Sequence, residues 1–552
     1  MLFNKSSIKL NTLHIKGGIG DIKKKWNCQF TKGDGKLLRR RLIKPKKIKE
    51  SIEIDNKTGE PISADVEENI DIIKSLFESC ADVKFRSFKV QEYSAYLIYI
   101  DGLIDNMSIQ FSALHELLSK TRIEHLNADF IQEKMVSIND VVEADKLDEI
   151  VKQVLDGNTV LMVDGIDKAL VLNAKGGERR SVSEPETETA VRGPREGFTE
   201  SIAVNIALIR QKIKSSHLKL ITKEIGTETR TIIGLMFIDH LASPDLVEEV
   251  EKRLERIEID GILESGYIEE LIEDEPRSLF PQIQNTERPD TVVGNLLEGR
   301  VALLVNGSPF TLILPATFWQ FLQANEDYYH RYHISLFIRL LRILMIFLAL
   351  MLPAIYIAVT TYHQEMIPTN LLYSIAASRE SIPFPAFVEA MIMEIAFESL
   401  REAGLRLPKV IGQAVSILGA LVIGQAAVEA GIVSAPMVII VSLTGIASFT
   451  IPKFNLAITI RILRFPMMLL AGLFGLFGIT LGSILIVTHL CKLRSFGVPY
   501  FSPIGPFKWK ELKDVFIRAP WWAMDKRPTQ TISENVQRQT EHMRPSPLND
   551  KQ

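Results

Sequence analysis

The chain has 552 residues, with 64 basic and 67 acidic side chains and a formal net charge of −3. That length suits two or three domains, and near-neutral charge excludes a protein built around a nucleic-acid surface. Cys28, Cys80 and Cys491 share no CxxC spacing, which argues against a disulfide framework or metal site and for a cytosolic soluble part.

In chain order, Met1 to Gly20 has no apolar h-region, so no cleaved signal peptide is expected. Lys23, Lys24, Lys25, Arg39, Arg40, Arg41, Lys46 and Lys47 follow almost without acid. Residues 1–61 therefore read as a solvated basic arm or as a contact for anionic lipid headgroups.

The next part repeats itself. Tyr96–Asp105 resembles Ile233–Ala242, Asp148–Gly157 resembles Asp290–Gly299, and Val160–Gly165 resembles Ala302–Gly307. A period of about 140 residues is too long for a solenoid and indicates two related mixed α/β subdomains, over 62–178 and 201–330. Strands are predicted at Ala95–Ile100 and Thr231–Ile238. The run Val160–Val163, Asp164-Gly165, Ala169–Leu172 has hairpin chemistry. Helices are predicted over Ile70–Cys80, Leu147–Leu155 and Leu246–Ile257.

Residues 179–200 link the two units. Arg192, Gly193, Pro194, Arg195 and Glu196 lie in a segment rich in Pro, Gly and alternating charge, readable as a soft linker or as a joint that locks the units together. As a joint, it predicts that Arg195→Ala lowers the amount of protein.

From residue 331 to 492 the pattern changes to apolar runs of about 20 residues, the length a helix needs to cross ~30 Å of hydrocarbon. Spans are expected at about 343–360, 410–430, 432–452 and 467–490, with 386–406 as a fifth candidate. A polar tail is expected over 493–552. Small residues at Gly412, Ser416, Ala420 and Gly424, and at Gly478 and Gly482, have helix-packing spacing. Basic clusters at Arg401/Arg406/Lys409, Lys453/Arg461/Arg464 and Lys492/Arg494 should lie on the cytosolic side. Neither four nor five spans satisfies all three.

Segment 386–406 carries Glu394, Glu398 and Glu402 on one helical stripe, with Glu389 about half a turn away and Pro383, Phe384 and Pro385 at its start. A carboxylate at mid-membrane costs ~2.5–3.5 kcal/mol or more and faces water or a partner. The helix either lies flat at the interface or carries its glutamates along an aqueous path, where an oligomer would present them as a cation-attracting ring.

Ser381–Pro408, Gly412–Pro452 and Glu184–Lys214 closely resemble blocks of the A subunit of the GerA-type spore germination receptors, within a likeness running from Ile70 to Trp521. The resemblance implies a cytosolic two-subdomain region and a membrane domain in the spore inner membrane. It also implies a permease-like B subunit, a lipoprotein C subunit and other A copies as partners. The implied function is transduction of nutrient binding into monovalent cation release, with Glu389, Glu394, Glu398 and Glu402 as ion-path candidates. A transporter of a nutrient or ion is the alternative, although the sequence repeat lies in the soluble half. No GxGxxG, Walker, HExxH or GxSxG motif occurs, so no catalytic residue, cofactor or metal is expected. Asp101 and Asp105 read as loop residues, His330 and His333 as interfacial ones.

Overall fold

The computed structural model describes residues 61–119, 131, 141–176, 184–408, 419, 422, 424–509, 511–529, 531–532, 535–540 and 543–545. The basic arm and most of the expected span 410–430, with Gly412, Ser416 and Ala420, lie outside the described residues.

Two five-stranded antiparallel sheets share one strand order. The first contains β1 (Val83–Val90), β2 (Tyr93–Ile100), β3 (Val141–Ala144), β4 (Thr159–Val163) and β5 (Ala169–Leu172), arranged β1-β2-β4-β5-β3. The second contains β6 (Leu218–Ile225), β7 (Thr231–Ile238), β8 (Gln284–Thr286), β9 (Val301–Val305) and β10 (Thr311–Leu314), arranged β6-β7-β9-β10-β8. The hairpin turns of β4–β5 and β9–β10 fall at Gly165 and Gly307, both with positive φ (82° and 90°), a conformation glycine adopts without a Cβ clash.

Both sheets are covered on both faces, so their central strands read as unbroken apolar runs rather than alternating ones. Val160 and Met162 of β4 meet helices α1 (Val66–Leu76) and α2 (Leu147–Leu155), while Leu161 and Val163 meet Leu114, Leu117 and Ile131. The second unit adds α3 (Ile202–Lys212), α4 (Pro244–Glu255), α5 (Ser265–Ile272) and α6 (Pro289–Leu296). There Val301, Leu303 and Val305 pack toward α4 and α5, and Ala302 and Leu304 toward α3 and α6. Local signals place the helices. The Asp65 carboxylate accepts from the Glu67 and Glu68 N–H groups at the start of α1, and Val66, Ile70 and Ile73 form its buried stripe.

The units are joined directly. The Ala81 N–H donates to Leu220 O at 3.1 Å and the Leu220 N–H to Ser79 O at 2.8 Å. Arg210 of α3 grips Asp82 in a buried two-pronged pair, 2.6 Å and 2.8 Å.

After these units come helices α7 (Tyr332–Tyr362), α8 (Thr369–Arg379), α9 (Ala386–Arg406), α10 (Ala435–Phe449) and α11 (Phe454–Lys492), then a tail that opens with a two-stranded hairpin pairing Arg494–Ser495 with Val498–Pro499. Among the described residues, α7 and α11 are long and apolar enough to cross a membrane. Helix α11 is not one rod, which corrects the expected single span 467–490. Gly475 breaks it (φ 59°, ψ −140°), and the chain turns back. A Cβ built on Gly482 would meet Met467 Sδ at 2.5 Å, and one on Gly478 would meet Leu470 O at 2.0 Å. In a straight helix residues 467 and 482 stand about 22 Å apart. The pair Gly478 and Gly482 therefore lets the two limbs of a hairpin, 454–474 and 476–492, approach closely. Both limbs start or end at the same place. Thr459 Oγ1 donates to Leu279 O at 2.5 Å, and His489 Nε2 lies 2.9 Å from Ser278 Oγ. At the far end Tyr362 OH donates to Gly472 O at 2.8 Å.

The described part of the polar tail packs against the second unit. Ser495 Oγ donates to Gln282 O at 2.7 Å, Thr531 Oγ1 to Glu298 O at 2.6 Å, and Arg538 pairs with Glu298 at 3.1 Å. Asp514 accepts from Arg339 at 3.0 Å, while Arg342 pairs with Asp327 at 3.0 Å. The arginines that open the apolar run are thus buried partners of the tail and of the preceding turn.

Candidate functional site

Helix α9 begins at Pro385, whose carbonyl accepts from the Glu389 N–H at 3.1 Å. Pro383, Phe384 and Pro385 are exposed, so this start contributes a fixed backbone entry rather than a packed motif.

Its four glutamates each meet a defined partner. The Glu389 carboxylate is fully buried, accepts from the N–H and Oγ of Ser434 at the start of α10, and lies 3.6 Å from Arg379 Nε. Glu394, also fully buried, accepts from Arg464 Nη1 at 2.5 Å, and Arg464 Nε in turn donates to Ala349 O of α7 at 2.8 Å. Glu398 pairs with Arg401 at 3.1 Å and with Arg461 at 3.5 Å. Glu402, more exposed, pairs with Arg406 at 2.7 Å. The stripe is therefore a ladder of carboxylate–guanidinium contacts. Six buried polar atoms of this ladder, Glu389 Oε2, Arg379 Nε, Glu394 Oε1, Arg464 Nη2, and Arg401 Nε and Nη2, have no hydrogen-bond partner among the described residues.

The glutamates were legible in the sequence; their partners were not. Arg461 and Arg464 read as a topological charge cluster, yet they are partners of Glu398 and Glu394. Both follow Lys453 on one helix at spacings of 8 and 11 that put the two arginines nearly one turn apart.

The linker residues occupy a second polar centre. The N–H groups of Val191 and Arg192 donate to Glu326 Oε1, the latter at 3.4 Å. Gly193 passes over the Tyr329 ring, where an added Cβ would come within 2.7 Å. Pro194 O accepts from Arg288 Nη2 at 2.8 Å, and Glu196 pairs with Lys212 at 2.7 Å. Arg195 is largely exposed and pairs with Glu184, at 3.0 Å, in the same segment. The anchor is Arg288, buried and held by both Asp290 oxygens, at 3.0 Å and 2.9 Å, while Tyr329 OH donates to Asp290 at 2.5 Å. Burial works against the Asp290 carboxylate, but hydrogen bonds from Arg288 and Tyr329 overcome it and hold its pKa below the ordinary range. Arg288, Asp290 and Tyr329 carried no sequence signal because nothing in the chain places them beside the linker.

Asp105 caps a short turn of helix by accepting from the Met107 N–H at 3.0 Å. Among the described residues no group of three or more His, Cys, Asp or Glu side chains could hold a metal ion.

The model of the Bacillus/Clostridium GerA spore germination protein family matches residues 71–530. This chain belongs to the GerA family. It is 55% identical to an uncharacterized membrane protein, YfkQ, of Bacillus subtilis (strain 168) over 86% of this chain and 93% of that one. It is 50% identical to spore germination protein KA of the same organism, over 88% and 90%. Spore germination protein GerLA of Bacillus cereus is 40% identical, over 78% and 88%. A solved structure, the N-terminal domain of the A subunit of the Bacillus megaterium spore germinant receptor GerK3, is 38% identical. It covers 47% of this chain and 98% of its own, with a TM-score of 0.38.

Proposed function

We propose that this GerA-family chain is the A subunit of a nutrient germinant receptor in the spore inner membrane, and that it converts germinant binding into cation release without a catalytic step. In this reading residues 62–178 and 201–330 are cytosolic subdomains joined by 179–200, and residues 331–492 form the membrane domain. Other A copies, a permease-like B subunit and a lipoprotein C subunit complete the complex.

The hairpin of α11 supports a definite topology. The tail and both limb ends lie against the second α/β unit, so the tail belongs on the same side as that unit. Crossings at α7, α9, α10 and each limb of α11, with the span expected from sequence at 410–430, then number six. All three basic clusters fall on the cytosolic side, as the charge rule prefers.

The observation that carries the functional reading is the Glu394–Arg464 pair, sealed among apolar helices. A structural helix bundle gains little from such a pair, because desolvating two charges offsets their attraction. In a membrane, ionisable groups of this kind mark ion paths. The closed ladder is the resting arrangement. A germinant shifts it toward a conducting one, by no more than its differential affinity for the two. The test is potassium release from spores carrying Glu394→Gln or Glu398→Gln, with membrane levels measured in parallel. Normal levels with slowed release support the ion path; normal levels with normal release remove α9 from it.

A second reading, a subunit that itself moves a nutrient or ion, is favoured by the proline-flanked helix α9 with its buried Glu389 and Glu394. Uptake of labelled nutrient by vesicles containing the receptor decides between them.

A further inference from the structure

We infer that Glu188 and Lys453 form a clasp through which the soluble linker sets the position of α11, and with it the arginine partners of Glu394 and Glu398; this rests on the ion-path reading above. Lys453 is the residue before α11, in the short connection from α10, and it is buried. Its Nζ donates to Glu188 Oε1, and Glu188 comes from the linker, 265 residues earlier in the chain.

Glu188 is itself held by two further contacts, and its neighbour by a third. Thr286 Oγ1 of β8 donates to Glu188 Oε2 at 2.5 Å, and Arg288 Nη1 donates to the Glu188 main-chain oxygen at 3.1 Å. The neighbouring Thr187 N–H donates to Glu287 at 3.2 Å. The carboxylate is therefore fixed to the second sheet, with one oxygen turned to the helical half.

From Lys453 the first limb runs without a break to Arg461 and Arg464. At 1.5 Å per residue these lie about 12 and 17 Å along the axis, so a shift at the clasp is delivered to both ion pairs by one helix. The linker's other contacts, to Glu326 and Tyr329, reach the turn that leads into α7, whose Ala349 O accepts from Arg464. The linker thus holds both helices between which Arg464 is suspended. Glu188 and Lys453 are positioning residues: they touch no ion, and act by where they hold α11.

The test uses the full chain in its receptor, with the native cysteines changed to serine and Met391→Cys added on the glutamate face of α9, one turn before Glu394. Labelling of that thiol by a water-soluble maleimide reports the ladder whether or not ions flow. Glu188→Gln and Lys453→Gln should each change the labelling rate at least threefold and slow potassium release at least threefold at normal protein level. The exchange Glu188→Lys with Lys453→Glu should return both to within twofold of the parent. Unchanged labelling in both single variants overturns the clasp. Where a single variant lowers protein level, the pair Glu188→Cys and Lys453→Cys decides, treated in membranes with a short bifunctional maleimide whose reach matches a Lys–Glu pair: cross-linking supports the contact, and its failure overturns it. If labelling changes as expected but Glu394→Gln spores release potassium normally, the clasp stands and the ion-path reading falls.

Discussion

Arg464 Nη1 lies 2.5 Å from Glu394 Oε2, and neither side chain reaches solvent. The two residues are 70 positions apart and come from different helices, α11 and α9. Each charge is tolerable only because the other is present: a lone ion in apolar surroundings is far costlier than the pair.

Removing one partner should therefore cost more than removing both. Arg464→Leu alone is expected to destabilise the protein by about 3–5 kcal/mol, whereas Glu394→Leu with Arg464→Leu recovers most of that and still fails to release potassium. Thermal midpoints in detergent, read with spore potassium release, check both halves. Additive single and double costs would show that the residues do not act as a pair.

The hairpin of α11 makes the side of Cys491 a direct readout. In a chain with Cys28→Ser and Cys80→Ser, an impermeant maleimide should reach the exposed Cys491 from the face that bears the α/β units. Gly478→Leu drives a side chain into the Leu470 carbonyl and should separate the limbs, lowering protein level or changing this labelling. Reaction of the unmodified helix from the opposite face alone would refute the fold-back.

Buried and exposed ion pairs in the soluble half should separate cleanly. Asp82→Ala leaves Arg210 charged and unpaired between the units, an expected loss of about 3–5 kcal/mol. Arg195→Ala removes a pair open to water, worth about 0–1 kcal/mol. This revises the sequence expectation for Arg195: the joint is anchored by Arg288, and Arg288→Ala should lower protein level where Arg195→Ala does not. Immunoblots of the three variants decide.

The His217 and His240 rings meet edge to face, 4.8 Å apart. Burial depresses the His217 pKa, with Lys219 adding to it and Asp239 opposing; burial also depresses His240, followed by His217 and Arg527. Folded values below the ordinary 6.5 mean the unfolded chain binds more protons. Their stabilisation is complete above that value and is lost as pH falls through the depressed ones. The thermal midpoint should drop as pH falls below about 6.5, and His217→Gln should flatten the drop. Parallel slopes for parent and variant would count against this pair.

Local chemistry was readable because it is local. The apolar runs 160–163 and 302–305, their Asp-Gly and Asn-Gly turns and the acidic stripe of α9 each reflect a period or a turn preference contained in a few residues. The hairpin was not readable. Residues 465–488 carry no charge, and Gly475 is one glycine among several, so only the contacts of Gly478 and Gly482 with the first limb reveal the reversal.

Composition, periodicity and motif blocks by themselves determined a mixed α/β front half, an apolar helical back half, four candidate carboxylates and the family. The tertiary structure alone decided which charges meet: Glu394 with Arg464, Glu188 with Lys453, Arg210 with Asp82. The reason is physical. An ion pair between elements depends on separations of a few ångströms between side chains 70 to 265 positions apart, and no local periodicity records that distance.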